Sequence, residues 1–316
     1  MTTAVVFAYH NVGVRCLKVL LAQGVDIKLI VTHEDNPNEN IWFSSVKQVA
    51  QDYGIPVITP DNPNTPEIEA QVRALAPDFL FSFYYRNMLK APLLEAPSRG
   101  AFNMHGSLLP KYRGRVPINW AVIHGETETG ATLHVMNVKP DNGPLVDQQA
   151  VPILPDDTAQ EVFDKVLVAA EICLLRALPK LINGTAQFIQ QDLSQGAYFG
   201  GRKAEDGRID WCQPARQIHN LVRAVTRPYP GAFSDTPMGR VVIWRTRVLA
   251  ESGHDSQPCR LLAKDDKLLV HTAEGGLLQI LEGSIGEHHL TVEGLNKYLN
   301  GELMLACNCC KRISRN

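Results

Sequence analysis

The chain has 316 residues, 45% hydrophobic and 20% charged, with a formal net charge of −2. That length is expected to divide into one large and one small domain, and the near-neutral balance excludes a global basic field for nucleic acid or an acidic membrane. No apolar run approaches ~18–20 residues, so no transmembrane helix is expected.

Met1 to Phe7 lacks the charged region and long apolar core of a signal peptide and reads directly as the start of a strand, so a cytoplasmic protein is expected. Val5–Ala8 is a short apolar strand, followed by an amphipathic helix to about Gln23, which Gly24 ends. A strand over Asp26–Thr32, a helix over Ser44–Tyr53 and a brief strand over Val57–Thr59 come next. A helix over Glu67–Ala76 and strands over Phe79–Phe83 and Ala101–His105 complete the first half. Strands alternating with helices at this spacing predict an α/β, Rossmann-like domain with a mostly parallel sheet and helices on both faces.

Pro117–His124 reads as a short helix with proline in its first turn. Strands over Thr132–Val138 and Leu145–Ile153 are expected to be antiparallel around a turn that holds Asp141. Asp156 or Asp157 would cap a long helix to about Ile182, with Gly184 past its end, and Ala186–Gln190 would be a short strand. Asp192–Gly207 is polar, glycine-rich and without period. Beyond it come a helix over Pro214–Val225, short strands over Val241–Trp244, Arg260–Leu262, Leu268–Val270 and Leu277–Glu282, and a helix over Thr291–Leu299. That texture predicts a small β-rich, OB-like barrel. The expected domains are therefore 1–191, a linker 192–205, a C-terminal domain 206–305 and a disordered tail 306–316.

Seven cysteines is an odd number. Cys16, Cys173, Cys212 and Cys259 fall in core-like segments, and with no export signal reduced thiols are expected. Cys307, Cys309 and Cys310 cluster in the tail, where no second cluster supplies the rest of a four-ligand zinc site.

The chemistry concentrates between Ala101 and Gly143. Asn103 and His105 are two apart at the end of a predicted strand, so they project to one face. That end feeds the loop Gly106–Pro117, and loops at the C-terminal edge of a parallel sheet are where open α/β proteins place ligands. An amide, an imidazole and the Asp141 carboxylate at two neighbouring strand ends suit acyl transfer. For a lone histidine, a ring bonded to backbone is the ordinary reading; the strand end, Asn103 and the Gly-Ser turn favour a functional one. A metal reading lacks a second histidine at ligand spacing, and asparagine is a poor transition-metal ligand. The first βα turn, Tyr9 to Gly13, has one glycine where a dinucleotide fingerprint needs three, although a helix N-terminus there suits a phosphate. Lys111, Arg113 and Arg115 form either a solvated loop face or a grip on an anionic ligand. Tyr84, Tyr85 and Arg86 are either core or a platform for a flat heterocycle.

The run from Asn103 to Gly114 resembles the signature of the 10-formyltetrahydrofolate-dependent formyltransferases, and Glu128–His134 and Asp141–Pro144 fit it too. Within that family, Phe7–His10, Thr32–Pro37 and Phe81–Arg86 resemble the subgroup that formylates UDP-4-amino-4-deoxy-L-arabinose. The likeness runs from residue 4 to about 250, through Asn220–Ala224 and Pro230–Ser234. It implies catalytic roles for Asn103, His105 and Asp141. It also implies folate contacts from Asn87, Met88, Leu89 and Arg115 and from the loop Asn137, Val138, Lys139, Pro140 and Asp141. Tyr9, Asn11 and Arg202 are the expected sugar-nucleotide contacts. The implied donor is 10-formyltetrahydrofolate with no metal, and the implied acceptor a nucleotide-linked amino sugar serving lipid A modification and polymyxin resistance. Neither nucleic acid nor membrane is an expected partner, and a homo-oligomer is left open. Bifunctional members continue into an NAD-dependent decarboxylase, so a free-standing enzyme and one half of a longer one both fit.

Two rivals stand beside this reading. A methionyl-tRNA formyltransferase needs a basic surface or linker, whereas 192–207 sets Arg202 and Lys203 against Asp192, Glu205 and Asp206. A non-catalytic folate- or nucleotide-binding module would have no need of Asn103, His105 and Asp141 together.

Overall fold

A computed structural model describes residues 1–253, 259–272 and 275–305. The predicted tail, with Cys307, Cys309 and Cys310, lies outside them. The chain divides into two compact units, Met1–Ile118 with Glu128–Pro152 and Phe163–Gly201, and Asn119–Thr127 with Ile153–Val162 and Arg202–Asn316.

The first unit is built on β1 (Thr3–Ala8), α1 (His10–Ala22), β2 (Asp26–Val31), α2 (Val46–Asp52), β3 (Val57–Ile58), α3 (Pro66–Ala74), β4 (Phe79–Phe83), α4 (Ala91–Leu94) and β5 (Ala101–His105). Two-residue β6 (Arg113–Gly114) precedes α5 (Pro117–Ile123), which belongs to the second unit from Asn119 on, then β7 (Glu128–Val135), β8 (Leu145–Pro152), α6 (Ala159–Ile182), which belongs to the first unit from Phe163 on, and two-residue β9 (Tyr198–Phe199). The main sheet runs β3-β2-β1-β4-β5-β7-β8. β1 to β5 are parallel, and β7 and β8 join antiparallel at one edge. This is the expected Rossmann-like sheet. Its strand order reverses between β1 and β4, the switch point where such sheets open a crevice at the strand C-termini. Val5, Phe7, Leu29, Val31, Leu80 and Leu93 are fully buried beneath it, and at about 1.5–3 kcal/mol for each large aliphatic or aromatic side chain they anchor the sheet.

Local signals account for the boundaries. Thr65 caps α3 with Pro66 at its first position, and Gly24 takes φ +72 to stop α1. α6 is capped by Thr158, not by Asp156 or Asp157. The Thr158 hydroxyl accepts from the Glu161 N–H at 3.2 Å while the Glu161 carboxylate takes the Thr158 N–H at 2.7 Å, a capping box. The strand expected over Ala186–Gln190 is only an isolated bridge from Ile189 to Leu145. The aperiodic segment after it is tied down, because β9 pairs parallel with β6 inside the signature loop.

The second unit holds α7 (Ala215–Val225), β10 (Ala232–Thr236), β11 (Gly239–Ala250), β12 (Arg260–Lys264), β13 (Lys267–His271), β14 (Leu277–Ile285), β15 (His288–His289), α8 (Val292–Leu299) and β16 (Glu302–Met304). Its strands run β10-β11-β14-β13-β12-β16, a nearly closed antiparallel barrel. Asp265 and Asp266, both at positive φ, make the two-residue turn between β12 and β13, the conformation whose twist suits a hairpin. β10 and β16 were not expected from the sequence. Buried Arg223 of α7 donates to the Asn220 side chain and to the carbonyls of Asp157 and Val122, and Asn119 donates to the Ala224 carbonyl. The Asn220–Ala224 motif thereby fastens the segments 119–127 and 153–162 into this unit. Cys16, Cys173 and Cys212 are free thiols, whereas Cys259 is disulfide-bonded, contrary to expectation.

Candidate active site

Antiparallel pairing sets Asn103 opposite His134 and His105 opposite Thr132. The turn between β7 and β8 then returns Asp141 to the same strand ends. Asp141 Oδ1 stands 3.5 Å from His105 Nδ1 and 3.5 Å from His134 Nε2. The structure thus brings Asn103, His105 and Asp141 together, with His134 as a fourth member.

Hydrogen-bond partners fix the tautomers. His105 Nε2 lies 2.8 Å from the Tyr112 carbonyl oxygen, which can only accept, so Nε2 carries a proton and Nδ1 is the free position facing Asp141. His134 Nδ1 lies 2.9 Å from the Val135 carbonyl and carries its proton there. In the neutral ring His134 Nε2 is therefore the acceptor for Asn103 Nδ2 at 3.1 Å. That bond decides which end of the Asn103 amide is nitrogen and leaves its second N–H and its carbonyl oxygen for other partners. His105 and His134 are both buried.

Asp141 occupies the left-handed region at φ 57, which aspartate tolerates better than most residues. Its Oδ2 accepts the Gly114 N–H at 2.8 Å. Burial alone would raise its pKa. The His105 and His134 rings and the Gly114 N–H outweigh burial and hold the carboxyl well below the usual carboxylate range.

The loop after His105 is shaped by buried polar bonds. Thr132 Oγ1 donates to the Ser107 carbonyl at 2.6 Å and accepts from the Leu109 N–H at 3.1 Å and from Gln148 at 3.0 Å. Ser107 Oγ donates to the Lys111 carbonyl. Arg113 is held within the protein, donating to Asn142 Oδ1 and to the carbonyls of Leu193 and Gly196, so it is not simply a solvated loop face. Arg115 donates its N–H to Phe199.

At the strand switch point, Tyr9 is buried and donates to Asp35 Oδ1 at 2.7 Å. Burial and this carboxylate partner push its phenol up. Asn11 Oδ1 accepts the Ser44 N–H at 2.8 Å. His10, at φ 66, is packed among Trp42, Phe43 and Phe163 with centroids 4.1–4.9 Å away. Burial, then Arg86, bring its pKa down to about 4. The His33 and Tyr85 rings stack at 4.2 Å, and Arg86 forks onto Glu39 at 2.9 Å through both terminal nitrogens.

Among the remaining expected contacts, Asn87 donates to the Asp61 carbonyl, the Met88 carbonyl accepts from Asn64, and the Leu89 side chain is core. Asn137, Val138 and Lys139 are exposed on the loop that precedes Pro140 and Asp141. Arg202 belongs to the second unit, with its guanidinium 4.8 Å above the Trp120 ring and a bond to the Asp206 carbonyl. His134 was missed as a site residue. Its signal was available: two residues after Thr132 on an antiparallel neighbour, it shares the register of Asn103.

The profile of the Formyl transferase family matches residues 13–178, and that of its C-terminal domain matches 202–298. Among solved structures, the chain is similar to the N-formyltransferase from Helicobacter canadensis in complex with folinic acid and dTDP-3-aminofucose. The TM-score is 0.72 at 21% identity, over 89% of this chain and 99% of that one. It is similar to WlaRD, a sugar 3N-formyl transferase in the presence of dTDP and 5-N-formyl-THF, with a TM-score of 0.68 at 19% identity over 91% and 99%. A 4-N formyltransferase from Francisella tularensis matches with a TM-score of 0.62 at 20% identity, over 75% and 94%. With the first profile spanning more than half of the sequence and the second following it, the chain belongs to the formyl transferase family.

Proposed function

We propose that the protein is an N-formyltransferase that moves the formyl group of 10-formyltetrahydrofolate to the amino group of a nucleotide-linked amino sugar. The acceptor we propose is UDP-4-amino-4-deoxy-L-arabinose, which would place the product in lipid A modification and polymyxin resistance. The observation that carries the reading is the convergence of Asn103, His105 and Asp141 at neighbouring strand ends. The bound folinic acid and dTDP-3-aminofucose of the Helicobacter enzyme, a relative in fold, support the two substrate classes.

The sugar amine attacks the formyl carbon, and the new C–N bond creates a tetrahedral carbon bearing an oxyanion. His105 Nδ1 takes the proton released by the amine nitrogen, and Asp141 steadies the imidazolium. The free N–H of Asn103 stabilises the oxyanion, an interaction worth about 2.7–4 kcal/mol in comparable sites. As the oxyanion collapses, the bond from carbon to the folate nitrogen breaks, and the proton on His105 passes to that nitrogen. Tetrahydrofolate and the formamide leave, and His105 is neutral again. The folate-side contacts we propose are Asn87, Met88, the Leu89 backbone, Arg115 and the loop Asn137–Asp141. Those on the sugar side are Tyr9 and Asn11.

The test is a comparison of kcat/KM across UDP- and dTDP-linked amino sugars and methionyl-tRNA, each with 10-formyltetrahydrofolate. The proposal expects a UDP-linked 4-amino sugar to lead. Methionyl-tRNA as the best acceptor overturns it.

A further inference from the structure

The segment Gln191–Phe199, aperiodic in sequence, is in contact with the turn that carries Asp141. Gln191 Nε2 donates to the Asp141 carbonyl at 2.9 Å and to the Gly143 carbonyl at 2.6 Å. Both partners are carbonyl oxygens, so the amide can be oriented only one way. Between these two anchors, Asn142 Oδ1 accepts from Arg113 Nη1 at 3.0 Å. Arg113 Nη2 in turn donates to the Gly196 carbonyl at 2.8 Å, and β6 and β9 join the same two strips by backbone bonds. Three successive turn residues are therefore each held from outside the turn.

The approach is close enough to demand glycine at three points. A Cβ on Gly143 would sit 1.8 Å from the Val135 carbonyl oxygen, one on Gly196 would sit 1.9 Å from that of Pro110, and one on Gly114 would sit 2.3 Å from that of Phe199. Gly114 also supplies the N–H that holds Asp141 Oδ2. The carboxylate is thus set at both ends, its side chain by β6 and its backbone by Gln191.

We propose that Gln191 and Arg113 are positioning residues, which fix the Asp141 carboxylate opposite His105 by clamping the backbone of the Asp141–Gly143 turn. The kinetic consequence rests on the formyl-transfer reading above; the geometric consequence does not. Removing the clamp lets the turn relax, and misplacement of about 1 Å at a reacting centre can cost on the order of 10²-fold in rate.

The experiment uses the full chain carrying Gln191→Leu, with Gln191→Glu as a second variant that keeps the size but sets carboxylate oxygens against the two carbonyls. Two readouts are taken. The first is kcat and KM for both substrates, normalised to folded protein. We expect kcat to fall by on the order of 10²-fold while both KM values stay near wild type. The second is the 13C titration of the Asp141 carboxyl, which needs no activity. In wild type it should stay flat on acidification through the ordinary carboxylate range near ~3.9, and in the variants it should titrate inside that range. A merely structural role would lower the melting temperature and leave both readouts unchanged in the molecules that remain folded. Wild-type kcat together with a flat Asp141 titration in either folded variant overturns the proposal. A wild-type protein without formyl transfer overturns the functional reading instead, and the titration still decides the clamp.

Discussion

His105 Nδ1 faces Asp141 Oδ1 across 3.5 Å, while its Nε2 is committed to the Tyr112 carbonyl. The gap is longer than a charge-assisted bond of about 2.7–2.9 Å, and such bonds are often long before substrate arrives. In the proposed mechanism, proton traffic would thereby be confined to one nitrogen, and Asp141 would be the anion that meets the charge formed there.

His105→Ala should lower kcat by on the order of 10²–10⁴-fold. Asp141→Asn should fold, keep its Gly114 contact and lose most of the rate. Because the pair acts as a unit, the double variant should lose little more than the worse single one. Turnover of the three variants checks this, and fully additive losses contradict it. Stability supplies a second check. A carboxyl held below its ordinary pKa contributes stability above about pH 4 that is lost as the pH falls through the folded value. The acid-side fall in melting temperature should therefore be shallower in Asp141→Asn.

His134 should act through Asn103. His134→Phe keeps a ring but removes the acceptor 3.1 Å from Asn103 Nδ2, leaving the amide unanchored. A loss on the order of 10-fold in kcat is expected, below the 10²–10³-fold expected for Asn103→Ala. The double variant should match Asn103→Ala alone. An independent His134 effect on top of Asn103→Ala would assign the ring another task.

His10 should impose a pH slope on stability. Its folded pKa of about 4 lies below the ordinary 6.5, so the unfolded chain binds the proton more tightly. The cost is absent above about pH 6.5, grows as the pH falls and is complete below about pH 4, where it reaches about 3 kcal/mol. His10→Asn, which tolerates the same positive φ, should flatten the melting temperature between those limits. An unchanged slope would count against a buried neutral ring.

Arg223→Leu should destabilise the second unit by about 3 kcal/mol or more, because the Asp157 and Val122 carbonyls and the Asn220 amide lose their donor together. Arg223→Lys should recover little, since the three acceptors are met by three separate nitrogens of a planar guanidinium, a spread that a point-like ammonium cannot span. Denaturant midpoints decide it.

Much of the first unit was legible because alternating apolar strands and capped helices carry their period in the sequence, and Asn103 and His105 were legible because a two-residue spacing fixes a common face. Asp141 was found because a Pro-Asp-Asn-Gly turn marks where two strands reverse. His134 was missed because a histidine inside an apolar strand looks like any alternating residue until register sets it opposite Asn103. The role of residues 191–199 was hidden for a different reason. Two-residue strands have no period, and side-chain bonds to backbone carbonyls leave no compositional trace. At the edges of the barrel, β16 escaped by being three residues long, and β10 because its Ser-Asp-Thr half is polar and turn-like.

The most direct measurement supplies 10-formyltetrahydrofolate labelled with 13C in the formyl group, together with UDP-4-amino-4-deoxy-L-arabinose, to wild type and to His105→Ala, and weighs the products by mass spectrometry. The account predicts one labelled formyl group on the sugar nitrogen with wild type and little or none with His105→Ala in the same time. An unlabelled sugar with wild type, or equal labelling by both proteins, would contradict it.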